Sequence, residues 1–230
     1  VGAVEEPTCS RSLIASRVST IFFTPTSNQN SEIIGIAKKN GIKVVQLFRD
    51  IYPDLETIIN DDESGCCQAA EKLLELGCRR LLLVDVAYLY LDSEQVRPDR
   101  STGFLKAVRN SDSEYKIVRF PLIDYDTRML SDAIDKFHPD GIITATNVAG
   151  LEVLSCLAQK HLSGVRFITF DDNRWLQFNG VSAIRQNTAV LAEKIKDAAI
   201  CTEGNPVSRI LIPQDLVLRG HGAGAAVWPA

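Results

Sequence analysis

Three short segments place groups that grip rather than cut. Arg100-Ser101-Thr102-Gly103-Phe104 puts a guanidinium at the opening of a helix, Phe170-Asp171-Asp172 ends a strand on two carboxylates, and Ile184-Arg185-Gln186 closes a β-like run on an amide. A guanidinium supplies a rigid fork of donors, a carboxylate only accepts, and an amide does both, so the set suits the edges of a small polyhydroxylated ligand. Asp171 and Asp172 also invite a hydrolase reading. Neighbours on an extended chain point to opposite sides, however, and cannot flank one bond. The sequence carries no nucleophile elbow, P-loop, zinc-protease helix motif or suitable Cys–His pairing, so no enzyme is expected.

The elements that must position these groups alternate along the chain. Apolar and β-branched runs at 18–24, 42–48, 80–85, 115–120, 142–146, 165–170 and 181–185 read as strands, with later short ones at 209–213 and 216–218. Helical spacing falls between them, at 11–17, after Ser31 as cap, and at 62–76, 98–110, 126–137, 147–160 and 188–201. In the 62–76 segment Cys66, Ala69, Ala70, Leu73 and Leu74 recur on one face, and Gly77 stops the helix. Repeated β-α-β predicts an α/β fold of parallel sheets flanked by helices. The strands are too many for one sheet of this length, which favours two lobes with a cleft. Ligands of such sheets sit beyond the carboxyl ends of the strands. Thr24, Asp61, Arg100, Thr146 and Asp171 all fall at or just after such ends. Trp175 and Phe178, on the loop that follows, suit either stacking on a sugar face or plugging the second lobe, and plugging is favoured. Asp172 is expected to cap that segment.

Composition narrows the class. The net charge of −4 lacks the basic excess of a non-specific nucleic-acid binder. No run is long and apolar enough to span a membrane, and the first residues have neither the basic nor the apolar stretch of a signal peptide. The six cysteines, Cys9, Cys66, Cys67, Cys78, Cys156 and Cys201, show no metal-ligand spacing and are read as reduced thiols of a cytoplasmic protein. No cofactor or metal is expected. The three histidines are too scattered for a site and are read as surface or turn residues.

Asp61-Asp62-Glu63-Ser64-Gly65 runs into Ala69-Ala-Glu-Lys-Leu-Leu-Glu-Leu-Gly77-Cys-Arg79-Arg80-Leu. This stretch resembles the Asp-Asn-x-x-Gly … Ala-x-x-x-Leu-x-x-x-Gly-His-Arg-x-Ile signature of LacI-type transcription regulators. The segments at Arg100, Phe170 and Ile184 follow in that family's order and spacing. The resemblance covers about Arg17 to Gly220 and implies a two-lobed periplasmic-binding-protein-like fold. Its first lobe would hold 1–79 plus 187–203, its second 80–186 plus 204–222, with 223–230 as a tail. It further implies an effector, a sugar or related metabolite, bound between the lobes by Arg100 and Asp171, with Asp61, Tyr125, Thr146, Thr24 and Gln186 as further contacts. The partners implied are a second copy in a homodimer and operator DNA, reached through a head absent from this chain. Only 17 residues precede Val18, too few for a head or for the family's first β-α-β, so the first lobe is expected to be incomplete at its start. Thr146-Asn147 stands where the family carries Asn-Asp, and the usual proline-rich wording before Ile184 is missing, which puts the ligand class in doubt. Two rivals stay in play: a sugar-binding protein that serves a transporter, and a degenerate member without ligand or DNA binding.

Overall fold

The alternation of the sequence becomes two parallel sheets. The computed structural model describes residues 11–87, 99–121, 128–201 and 207–220. It divides into two units, the first built from 1–60, 90–97 and 187–212, the second from 61–89, 98–186 and 213–230.

The first unit carries a four-stranded parallel sheet. Its strands are β1 (Thr20–Phe23), β2 (Lys43–Leu47), β3 (Glu56–Asn60) and, later in the chain, β9 (Arg209–Ile212), in the order β1-β2-β3-β9. A helical turn at residues 11–15 precedes β1. Because successive strand residues face opposite ways, Val44 and Val45 bury on different sides. Val44 joins Ile21, Ile34, Ala37 and Ile42 beneath α1 (Ser31–Lys39), and Val45 joins Ile58, Leu191, Ala198 and Ile212 beneath the late helix Thr188–Ile200. Two sequence expectations need correction here. The strand Glu56–Asn60 escaped the reading: it has polar ends and only Thr57, Ile58 and Ile59 buried, and pairing on both sides rather than length makes it a strand. Ser31 is not the cap of α1. Asn30 holds that position without a side-chain cap, and Ser31 is already helical.

The second unit is a six-stranded sheet in the order β10-β8-β7-β6-β4-β5, parallel except for the antiparallel edge strand β10. Its strands are β4 (Arg80–Ala87), β5 (Glu114–Pro121), β6 (Gly141–Thr144), β7 (Arg166–Phe170), β8 (Ser182–Gln186) and β10 (Gln214–Val217). The chain leaves β4 for β5 on one side and returns to β6 on the other, so the winding reverses at β4 and β6. Alternation again splits the core. Leu82, Val84, Ile142 and Phe167 face α4 (Arg128–Phe137) and α5 (Asn147–Gln159), while Leu81, Leu83, Ile143 and Ile168 face α2 (Asp62–Glu75) and α3 (Asp99–Val108). Each buried leucine or isoleucine of this kind contributes about 2 kcal/mol of transfer free energy.

Helix α2 belongs to this second core, not to the first lobe where the sequence expectation put it. Cys66, Ala69, Ala70 and Leu73 are all at most 1% exposed and cluster with Phe104 and Phe170. Strand β9 in turn falls in the first unit. Two glycines explain how tightly α2 is held. A Cβ on Gly103 would stand 2.0 Å from the Glu63 carbonyl oxygen, so α3 lies against α2 only because that position has no side chain. Gly65 makes similar room beside Gln214 and Ile184. The free thiols Cys66, Cys78 and Cys156 are buried, and burial holds each above its ordinary pKa, Cys78 at about 11. His138 and His161 both follow helices in left-handed turns, while Cys9 and His221 lie outside the described residues.

Candidate functional site

In an open α/β sheet the crevice at the strand carboxyl ends is deepest where the winding reverses. In the second unit that place lies between β4 and β6, and Arg100 reaches across it. From the first turn of α3 its Nη1 donates to the Ala145 carbonyl just past β6, its Nη2 pairs with Asp62 Oδ2 at 3.0 Å, and its guanidinium carbon lies 4.2 Å from the centroid of the Phe170 ring. The pair is largely shielded, with side-chain exposures of 16% and 25%. The next residue, Ser101, donates to Asp85 Oδ2 at 2.5 Å at the end of β4. Phe104, fully buried one turn on, and Gly103 against α2 hold the helix at the depth that brings Arg100 to this position.

Asp171 stands on the neighbouring strand end. It has φ of 66°, a conformation that turns the chain sharply after β7, and its N–H donates to the Ile184 carbonyl. Gln186 Nε2 donates to Asp171 Oδ1 at 3.1 Å, so two of the expected site residues meet directly. Asp62 lies close enough to feel Asp171. Burial raises the Asp62 pKa, Arg100 opposes the rise, and the Asp171 charge adds to it. Asp62 Oδ1 is buried and accepts no hydrogen bond among the described residues.

The other expected residues fare differently. Asp61 is the N-cap of α2 and accepts from Ser64 N at 3.1 Å. Thr146 caps α5 by accepting from Ala149 N at 3.2 Å, while its carbonyl takes the hydroxyls of Thr144 and Thr169. Thr24 is exposed just after β1 in the first unit. Tyr125 lies outside the described residues. Asp172 is not a cap. Its 4%-exposed carboxylate pairs with Arg219 at 2.7 Å, and Asn173 caps the short helix α6 (Arg174–Phe178) that stands where a loop was expected. Trp175 packs on the core of this unit, but Phe178 is 86% exposed and plugs nothing.

Asp62 is the residue that sequence reasoning missed. The signal was the paired carboxylate itself. Once Asp61 is used as a cap, the following residue on the first helical turn is free to face α3. No group of three or more His, Cys, Asp or Glu among the described residues is placed to hold a metal ion, and no described helix is long and apolar enough to cross a membrane. A small apolar pocket in the first unit is lined by Ile14, Ile21, Phe23, Ile33 and their neighbours, with Asn30 as its polar member, a lining unsuited to a polyol.

Residues 5–189 match the family model of periplasmic binding proteins and the sugar-binding domain of the LacI family. Comparison with curated proteins gave no significant match. Among solved structures, the chain is similar to a periplasmic binding protein/LacI transcriptional regulator from Alkaliphilus metalliredigens complexed with D-xylulofuranose, at 24% identity and a TM-score of 0.74, over 94% of this chain and 82% of that one. It is also similar to the Cra transcriptional dual regulator of Pseudomonas putida in complex with fructose 1-phosphate (20% identity, TM-score 0.74, 95% and 84% covered). A third similarity is to the LacI family regulator CCPA of Weissella paramesenteroides with bound sucrose (13% identity, TM-score 0.78, 96% and 84% covered).

Proposed function

The chain belongs to the family of periplasmic binding proteins and LacI-type sugar-binding domains, and from that premise we propose that it is the effector-sensing part of a transcription regulator, binding a sugar or related metabolite. Members of this family bind ligands rather than transform them. The observation that supports the reading is that Gln186 donates to Asp171 just past β7 while Arg100, paired with Asp62, donates to the Ala145 carbonyl just past the adjacent β6, with Asp171 acting electrostatically on Asp62. Arg100 offers directed donors, Asp171 an acceptor held in place by Gln186, and Asp62, whose Oδ2 pairs with Arg100, a second oxygen, Oδ1, without a described donor. Adjacent hydroxyls on a sugar ring present matching donors and acceptors.

The relatives in solved structures hold neutral sugars and a sugar phosphate, so ligand charge is decided by individual side chains rather than by the fold. Thr24, Asp61, Tyr125 and Thr146 enter this proposal as further contacts. The same proposal includes ligand binding between the lobes, a homodimer, a cytoplasmic location and operator DNA reached through a separate head. Ligand preference for one of two lobe arrangements would then shift how that head is presented.

The test is calorimetric titration and thermal melting of the chain against monosaccharides and disaccharides, repeated with Arg100→Ala and Asp171→Ala. Each variant is expected to keep its circular dichroism spectrum and to lose at least about tenfold in affinity, the cost of removing one charged hydrogen-bonding partner. Wild-type affinity in either variant would place the ligand elsewhere.

A further inference from the structure

We propose that the Arg100 site selects an uncharged, hydroxyl-rich ligand over a phosphorylated or carboxylated one, and that Asp62 is the residue that sets this choice. The proposal rests on the reading above that Arg100 and Asp171 touch the ligand. Arg100 is the group an anion would seek, and its charge is already matched. Asp62 sits against Nη2 at 3.0 Å, the Ala145 carbonyl takes Nη1, and the Phe170 ring covers one face of the guanidinium. An incoming phosphate would have to displace a carboxylate that the fold holds in place through the first turn of α2.

The surroundings add to this. Asp171 and Asp99 both act electrostatically on Asp62, and Asp85 acts on the Cys66 thiol together with Asp62 and Arg100. Asp62 is thus the carboxylate in contact with the guanidinium, and Asp171 and Asp99 add negative charge near it. Arg219 is likewise committed, paired with the nearly buried Asp172 at 2.7 Å and donating to the Val181 carbonyl.

Hydrogen bonding points the same way. Asp62 Oδ1 is buried and receives no donor among the described residues, and Asp171 is already oriented by Gln186. Ionised carboxylates accept and never donate, so Asp62 Oδ1 calls for a donor hydrogen. Sugar hydroxyls bring one. A phosphate monoester at neutral pH brings acceptor oxygens and a charge of about −1.5 to −2. Arg100 therefore acts as a positioned, neutralised donor fork and Asp62 as both its counter-charge and a reader of hydroxyl groups.

The experiment uses the full chain with inorganic phosphate as the probe, at constant ionic strength, read by calorimetry. Wild type is expected to show no saturable phosphate binding. The isosteric variant Asp62→Asn is expected to gain it, by about tenfold or more, and the double variant Asp62→Asn with Arg100→Ala to lose it again. Should Asp62→Asn fail to fold, Asp171→Asn removes another carboxylate of the cluster and is expected to move phosphate affinity in the same direction. Arg100-dependent phosphate binding by wild type, or a folded Asp62→Asn that gains none, overturns the proposal. Fructose and fructose 1-phosphate are titrated in parallel, and tighter binding of the phosphate ester overturns it as well. Silence from every neutral sugar sinks the sugar-binding reading itself, while the phosphate series still judges the role of Asp62.

Discussion

Two buried polar clusters, one in each unit, are built from similar chemistry and end differently. In the first unit Gln46 is fully buried on β2. Its Nε2 donates to the Tyr52 carbonyl and to Thr57 Oγ1, and its Oε1 accepts from the N–H groups of Ile51 and Tyr52. Both ends of the amide are occupied, and the cluster folds residues 49–55 back onto the sheet between β2 and β3. In the second unit the cluster of Arg100, Asp62 and Asp171 is less completely buried, Asp62 Oδ1 receives no described donor, and the carboxylates outnumber the cation. A satisfied buried network rigidifies a fold, whereas a buried polar group left short of partners costs stability and marks a place where something else binds. The two clusters differ both in burial and in the accounting of donors and acceptors.

That contrast breaks most visibly at Gln46. Gln46→Leu strands the N–H groups of Ile51 and Tyr52, and is expected to destabilise the chain by about 3 kcal/mol in denaturant melts without changing ligand affinity in the second unit. Gly103→Ala tests the packing that delivers Arg100. A Cβ there meets the Glu63 carbonyl oxygen, so α3 must move off α2, with an expected cost of about 2 kcal/mol and weaker ligand binding measured together. Thr146→Ala separates the two roles of a residue that caps α5. Loss of the cap costs about 1 kcal/mol of melting stability, and an accompanying loss of affinity would add a ligand contact to the cap.

The smallest effect is the most diagnostic. The folded environment raises the Asp62 pKa, through burial first, so the folded state binds its proton more readily than the unfolded chain does. Stability then falls as pH rises from the ordinary carboxyl value to the raised one, and the charged form is a net burden above that window. Asp62→Asn is therefore expected to melt slightly higher than wild type at about pH 7, with the gain shrinking as pH falls and levelling off only below the ordinary carboxyl value of 3.8, where both states become protonated. A gain that grows on acidification would reverse the sign assigned to Asp62.

Much of this was written in local patterns. The spacing of Cys66, Ala69, Ala70 and Leu73 marks α2 because a helix returns to the same face every three to four residues, and the four are indeed its buried face. Arg100 and Gly103 are legible together because one carries the fork and the other the contact that places it. Strand Glu56–Asn60 was not legible, since five residues with polar ends gain their identity from β2 and β9 on either side. Nor was the assignment of α2 to the second core, which depends on Phe104 and Phe170 arriving from distant parts of the chain.

By itself, then, the amino-acid sequence determined the α/β alternation, the helix stops, the family and the short list of groups able to hold a polyol, because these follow from local propensity, periodicity and side-chain chemistry. Only the tertiary structure decided which carboxylate of each adjacent pair does what. Asp61 caps its own helix while Asp62 meets Arg100, and Asp171 meets Gln186 while Asp172 turns to Arg219. Neighbouring residues share composition and nearly share position, but backbone direction sends their side chains to different partners, from 3 residues away for Asp61 to 47 for Asp172.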